Sequence, residues 1–202
     1  MTNAMLPHSS KEKVPRLSDH SLLLAAGAVL LGSVALSAIL VPRGLVINEG
    51  ISLYGIYART IIPYASGLFT VAATLALIAH RSTEPYRKLL LYSIAALAAI
   101  IVFVPYSLSP AFNIIHISIG ATLYTLALAF ALLTSKERLA HQDKKPKALL
   151  LLTLSVMILA WLLSAWWIFH TTGHLIFAQI IFLLAFLANA SQSLASTDTE
   201  IH

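Results

Sequence analysis

Three histidines are the residues of this chain whose type and spacing most directly suggest chemistry. His170 and His174 form an H-x-x-x-H pair, and residues four apart lie on one face of a helix, where two imidazoles can bind one metal ion. The intervening residues 171–173 are Thr-Thr-Gly, which is typical of a turn, and a turn would remove the helical spacing. Two interpretations stay open: a metal or haem ligand pair, and interfacial histidines satisfied by water and lipid headgroups.

His116 is the third histidine, and it lies within an apolar stretch. An imidazole inside a helical bundle is expensive unless it is paired, so His116 is the best single functional candidate. A hydrogen bond to a backbone carbonyl or a tyrosine is the alternative role. Glu49 lies in a connection that also contains Arg43 and Arg59. It could act as a metal ligand or general base, or be a solvated residue paired with one of these arginines.

Two further groups of residues are candidates for binding a ligand. Residues 48–57 carry an amphipathic run with two tyrosines, bracketed by glycines. This predicts a short re-entrant or interfacial piece over one mouth of a bundle, and makes Ser52 and Tyr54 ligand-binding candidates. Four residues of a later apolar segment share one helical face: Asn113, His116, Gly120 and Tyr124. Asn113 and Tyr124 complete the candidate set, with packing between helices as the competing explanation for that face.

The composition shows what must position these residues. Hydrophobic residues make up 58% and charged residues 10% of the 202, and the mean hydropathy is +0.84. A soluble domain carries about 25% charged residues, and a membrane span needs roughly 20 apolar residues. Six apolar segments meet this need: 22–41, 61–79, 89–104, 112–133, 148–169 and 174–190. The sequence therefore predicts an all-α polytopic membrane bundle over residues 21–192, with a leader at 1–20 and a tail at 193–202.

The connections divide lysine and arginine very unevenly between the two sides of the predicted membrane. One side holds only Arg43 and Arg59, whereas the leader, two loops and their flanks hold the other eleven. Cationic flanks of short spans stay in the cytoplasm, so both termini are predicted to be cytoplasmic and the protein to be a multi-pass protein of the cell membrane. This orientation places Glu49 and the three histidines at or near the outer face.

Composition also bears on several classes of function. The net charge of +5 and pI of 9.6 are explained by juxtamembrane loops beside anionic headgroups, so nucleic-acid binding is not expected. The absence of cysteine excludes disulfides and thiolate chemistry. No charged residue lies in the middle of a predicted span, which disfavours a proton-coupled pump. The first apolar run is longer than a signal-peptide core, which favours an uncleaved first helix.

Residues 51–55, Ile-Ser-Leu-Tyr-Gly, follow the first span, and this element resembles the six-helix membrane family called domain of unknown function 998. That family also tends to have a histidine early in the fourth span followed by small and aromatic residues, as in His116, Gly120 and Tyr124. DRAM-type membrane proteins share the six-helix outline. The resemblance implies the same layout but no established reaction. A charged residue often found at the start of the family's sixth span is replaced here by His174 and Gln179.

The histidines also resemble part of the ligand set of the ceramidase and adiponectin-receptor group of membrane metallohydrolases, together with Ser52. In a metal-dependent hydrolase, zinc would bind to His116, His170 and His174, a bound water would become nucleophilic at neutral pH, and Glu49 would serve as base or fourth ligand. The group has seven spans and a membrane-embedded Asp, which this chain lacks. A haem b held between His116 and His170 or His174 is a third hypothesis.

The interpretation that best fits these features is a non-enzymatic membrane protein that binds or senses a lipid or small ligand near its outer face. A zinc-dependent hydrolase of a lipid amide or ester is the main alternative, and a haem-b membrane protein the second. The favoured interpretation needs no cofactor, whereas the alternatives need zinc or haem. The lipid bilayer is the expected partner, and the sequence leaves open whether the protein forms a homo-oligomer.

Overall fold

The computed structural model describes residues 17–45, 50–141, 144–170 and 175–199, with side chains at 17–43, 45, 50–139, 147–166 and 175–192. Over these residues the chain is helical and forms no β-strand. The α-helices are α1 (Asp19–Leu40), α2 (Ile61–Arg81), α3 (Pro85–Ile100), α4 (Pro110–His141), α5 (Lys144–His170) and α6 (Leu175–Thr199). Three short 3₁₀ helices cover Pro42–Leu45, Ile51–Gly55 and Ile101–Phe103.

Each of the six α-helices contains a stretch long and apolar enough to cross a membrane, so the predicted all-α bundle of six spanning helices is confirmed. Many large hydrophobic side chains on the outside of the bundle are exposed, Ile39, Ile62 and Leu152 among them. In water such a surface would cause aggregation. In a bilayer it faces lipid tails, while each helix satisfies its own backbone hydrogen bonds.

The α2–α3 connection is shorter than the sequence suggests, because α3 begins before its apolar segment does. Only residues 82–84 are non-helical, and Pro85 occupies the first turn of α3, where its fixed φ suits a helix and its missing N–H is not needed. Arg87 and Lys88 are therefore helical residues. Similarly, α4 continues to His141, well past the predicted end of its span.

Successive helices run antiparallel, and α6 packs against α1, α4 and α5, which closes the bundle. One end carries the start of α1 and the α2–α3 connection, and we call it the basic end. Two ion pairs between described residues join helices there. Arg81 Nη1 is 2.8 Å from Asp19 Oδ1 and joins α2 to α1, whereas Arg87 Nη2 is 2.5 Å from Glu137 Oε2 and joins α3 to α4.

We call the half of the bundle next to the basic end the basic half. A fully buried asparagine links three helices there. Asn189 of α6 donates through Nδ2 to Ser135 Oγ of α4 at 3.1 Å and to Thr153 Oγ1 of α5 at 3.3 Å. On the other side of α6, His20 Nδ1 of α1 lies 3.0 Å from the Ser191 carbonyl oxygen and donates to it. These bonds fix α6 against three neighbours, because an unmade hydrogen bond in an apolar interior is costly.

Helix packing in the basic half is close. At Gly27 of α1, a Cβ atom would lie 2.4 Å from Cδ1 of Leu187 on α6, far inside the normal carbon–carbon contact distance. Leu23, one turn away, is buried in the same hydrophobic cluster as Leu187 and Ala79. Glycine therefore allows α1 and α6 to approach each other, as small residues commonly do in membrane bundles.

Candidate functional site

A cavity of about 300 Å³ lies among the helices, on the side of the bundle away from the basic end. We call this part of the molecule the cavity half. All six α-helices and the 3₁₀ helix Ile51–Gly55 contribute to its walls, most of which are aliphatic or aromatic. None of the described residues that line it is Asp, Glu, Lys or Arg. Its polar or polar-tipped lining residues are Ser52, Tyr64, His116, Tyr124, Trp161, Ser164 and Gln179.

His116 is fixed in place by the chain just before α4. Its Nδ1 lies 2.6 Å from the Val104 carbonyl oxygen, and its ring packs against Tyr106 with 5.6 Å between ring centroids. A carbonyl oxygen can only accept, so Nδ1 carries the proton, and Nε2 is the acceptor of the neutral ring. The backbone bond matches the role predicted as the alternative to function, and it leaves one ring nitrogen available at the cavity.

The cavity also presents hydroxyl groups that have no hydrogen-bond partner among the described residues. These hydroxyls belong to Ser52, Tyr64 and Tyr124. Tyr124 packs its ring against Phe182, with 4.6 Å between centroids. By contrast, Ser164 donates to the Ala160 carbonyl of its own helix at 2.8 Å. The walls are thus apolar with a few hydrogen-bonding groups left over, as is typical of small-molecule sites.

Residues 50–60, which we call the cap segment, cover the cavity at its end. Its backbone is anchored to α6, because the Ile51 N–H donates to Gln179 Oε1 at 2.6 Å. Thr60 Oγ1 donates to the Tyr54 carbonyl oxygen at 2.6 Å, which closes the segment on itself. Leu53 and Tyr54 are buried against the bundle. The segment thus packs over one mouth of the bundle, in the position that its glycines and tyrosines predicted.

Tyr54 has an unusual environment. Its side chain is fully buried in a cluster with Leu30, Val34, Tyr64 and Ile176. Its hydroxyl has no hydrogen-bond partner among the described residues. Burial raises the pKa of the Tyr54 phenol, because the charged form would be poorly solvated. Burial thus favours the neutral hydroxyl, which can donate or accept a hydrogen bond.

The predicted ligand-binding residues lie in different places. Ser52, His116 and Tyr124 line the cavity together, although they come from the cap segment and two turns of α4. Tyr54 lies next to the cavity in the cluster described above. Asn113 is exposed in the first turn of α4 and is not one of the lining residues, so the predicted common face reaches the cavity only from His116 onwards.

The predicted metal and catalytic residues fall largely outside the described part of the chain. Glu49 and His174 lie in the undescribed residues, and His170 ends α5 with its side chain undescribed. Within the described residues, no group of three or more His, Asp or Glu side chains is arranged to hold a metal ion. Zinc and haem ligation by these histidines therefore remain predictions.

Four of the polar or polar-tipped cavity residues were not among the predicted candidates: Tyr64, Trp161, Ser164 and Gln179. Tyr64 could have been recognised from its position on α2. It is followed by Leu68, Val71 and Leu75 at spacings of four, three and four, and all four residues line the cavity. This is the pattern of one inward helical face. A polar-tipped residue within such a face is a better indicator of the site than a stripe of serines and threonines.

Ser66 and Thr70 of α2 form such a stripe, and each donates to a carbonyl of its own helix, at 3.0 and 2.8 Å. Neither lines the cavity. Short hydroxyl side chains satisfy themselves in this way on membrane helices. Their polarity therefore carries little information about a site.

Comparisons with known proteins gave no match to a family model, a curated protein or a solved structure. The resemblance of residues 51–55 to the family called domain of unknown function 998 therefore stays a prediction.

Proposed function

We propose that this integral membrane protein binds an uncharged, largely apolar molecule in the cavity among its six helices. The observation that carries the proposal is the cavity itself, with apolar walls and with hydroxyls from Ser52, Tyr64 and Tyr124 that bond to no other residue the structure describes. The protein is a binding or sensing protein in this proposal, and it resides in the cell membrane with both termini in the cytoplasm. The cavity half then faces outward, as the lysine and arginine distribution predicts.

The size of the cavity favours an occupant. A cavity of about 300 Å³ leaves the atoms of its walls without packing partners, so they lose van der Waals attraction. A bound molecule, or a lipid chain, that makes contact with the walls restores this attraction.

The charge and polarity of the walls define the ligand class. Because no charged side chain lines the cavity among the described residues, an ionised ligand would lose its hydration without gaining a partner. The tyrosine hydroxyls can donate, and Nε2 of His116 can accept. A molecule with a long apolar body and one or two neutral hydrogen-bonding groups, such as a hydroxyl or carbonyl, fits this arrangement.

Filling the cavity tests the proposal. Gly120 lines it, and a Cβ added there would lie 3.7 Å from Cδ1 of Ile101, which is an ordinary contact. Gly120→Leu should therefore fold while its side chain occupies ligand space. The probe is a long-chain alcohol carrying a photoreactive diazirine, supplied in phosphatidylcholine vesicles that contain the full chain. Equilibrium photolabelling of α4 and α6 peptides should fall roughly tenfold in Gly120→Leu, a loss of about 1.4 kcal/mol of binding free energy.

The matched control is Gly32→Leu on α1. Gly32 is exposed, and an added Cβ would have nothing within 4 Å, so the same chemical change is made on the membrane-facing surface. This variant should be labelled like the wild type. Equal labelling of the cavity peptides in Gly120→Leu and wild type would contradict ligand binding in the cavity.

A further inference from the structure

The wall of the cavity is not equally thick on all sides. Towards α1, α2, α3 and α6 the lining residues are buried, as at Leu30, Leu75 and Phe182, or partly buried, and none of them is exposed. On α4 the situation is different. Ile117 lines the cavity and is nevertheless 38% exposed, and Ala121, one turn further, also lines it and is exposed. At these residues a single layer of side chains separates the cavity from the outside of the bundle.

The facing helix, α5, matches this thin wall. Trp161 and Ala165 are one turn apart, both line the cavity, and both are only partly buried. The two helices are joined at the edge nearer the basic end, where Trp161 Nε1 donates to Thr125 Oγ1 at 3.3 Å. Beyond this bond, the first turns of α4 carry exposed apolar side chains such as Ile114 and Ile115. The gap between α4 and α5 therefore opens towards hydrocarbon.

The end of the cavity half offers a less direct route. The cap segment covers it, with Leu53 and Tyr54 buried and Ile51 bonded to Gln179 of α6. A ligand from water would have to displace these contacts. A lipid chain already lying against Ile114 and Ile115 would have to move only past Ile117 and Ala121.

We propose that the ligand is a membrane lipid that enters sideways from the bilayer, between α4 and α5 at Ile117, Ala121, Trp161 and Ala165. We call this gap the lateral portal. The inference rests on the proposed function and adds the source of the ligand: a lipid of the leaflet next to the cavity half, with its neutral end towards the hydroxyls. Trp161, bonded to Thr125, forms the edge of the portal nearer the basic end.

The test measures the rate of uptake rather than the final occupancy. The same photoreactive long-chain alcohol is mixed into phosphatidylcholine vesicles containing the full chain, and cavity labelling is followed over time by flash photolysis. Ala121→Trp places an indole in the lateral portal at an exposed position. Uptake should be roughly tenfold slower than in wild type, because association slows when the protein must first rearrange, and final labelling should be retained.

Two controls separate the possible routes. Ala73→Trp makes the same change at an exposed position of α2 that does not line the cavity, and it should leave the rate unchanged. Thr60→Val removes the bond to the Tyr54 carbonyl and loosens the cap segment. If Thr60→Val accelerates uptake while Ala121→Trp leaves it unchanged, the ligand enters from the end of the bundle and the lateral portal is wrong.

A second variant guards against an indole that fills the cavity instead of the portal. If Ala121→Trp loses final labelling, Ile117→Trp is measured, and slow uptake with retained final labelling in that variant supports the portal. Uptake at the wild-type rate in both variants overturns it. These outcomes are independent of the Gly120→Leu test, which concerns whether the cavity binds at all.

Discussion

The basic half and the cavity half of this bundle are built from the same six helices but handle their polar groups and their space differently. In the basic half, Asn189 donates to side chains of two other helices, and the α1–α6 contact at Gly27 is too close for a side chain. In the cavity half, the hydroxyls of Tyr64 and Tyr124 have no partner among the described residues, and Gly120 has room beside it.

The course of α4 shows where the difference arises. Towards the basic end, Ala131, Thr134 and Ser135 are buried, whereas near its start Ile114 and Ile115 face the membrane. The helix thus belongs to the core at one end and stands partly away from it at the other. Binding sites generally need such local departures from optimal packing, and the rest of the fold must supply the stability. The basic half is the rigid base for the cavity half.

The predicted orientation of the two halves in the membrane can be tested by labelling from outside the cell, which should be all-or-none. The chain has no cysteine, so Ala58→Cys in the cap segment and Thr83→Cys in the α2–α3 connection each introduce a single thiol at an exposed position. The sequence predicts eleven of the thirteen lysines and arginines on the basic side, so that side should stay in the cytoplasm. A membrane-impermeant maleimide should label Ala58→Cys in intact cells and Thr83→Cys only after permeabilisation. The reverse labelling pattern would contradict this orientation and place the cavity half on the cytoplasmic side.

The same substitution should have opposite consequences for stability in the two halves. Gly27→Leu forces a side chain into Leu187 and should lower the free energy of unfolding by about 1–3 kcal/mol or more, as overpacking does. Gly120→Leu adds apolar contacts where there is space and should be neutral or stabilising. Thermal unfolding in detergent measures both, with exposed Gly32→Leu as the control for helix propensity. Equal losses at Gly27 and Gly120 would show that the halves are packed alike.

Much of the fold could be predicted from the sequence, because a spanning helix requires only a long apolar run. The break after Leu40 and the six spans follow from such runs and from Pro42. The early start of α3 could not be predicted from hydropathy. It depends on Pro85 and on the ion pair of Arg87 with Glu137, which are fifty residues apart.

The candidate site could be predicted only in part. His116 was predicted because a histidine within an apolar span is costly unless it is paired, and it does line the cavity. The bond between Ile51 and Gln179, however, joins residues 128 positions apart, and no local pattern encodes it. The thin wall at Ala121 depends equally on how far α5 lies from α4. Such features arise from the arrangement of the helices and not from the residues of any one of them.

The smallest expected effects concern two fully buried polar side chains, Asn189 in the basic half and Tyr54 in the cap segment. Asn189→Leu keeps a similar volume but leaves Ser135 Oγ and Thr153 Oγ1 without their donor. Hydrogen bonds between membrane helices contribute about 0.6 kcal/mol on average and up to about 1.7 kcal/mol, so the free energy of unfolding should fall by about 1 kcal/mol. Asn113→Leu, at an exposed position of α4, is the control.

Tyr54→Phe should behave in the opposite way. The Tyr54 hydroxyl is buried with no partner among the described residues, so its removal takes away an unsatisfied group and leaves the ring packing against Leu30 and Val34 intact. The free energy of unfolding should be unchanged or slightly higher. A clear loss of stability in Tyr54→Phe would mean that a bound water or the ligand itself satisfies this hydroxyl. That result would extend the binding site from the cavity into the cap segment.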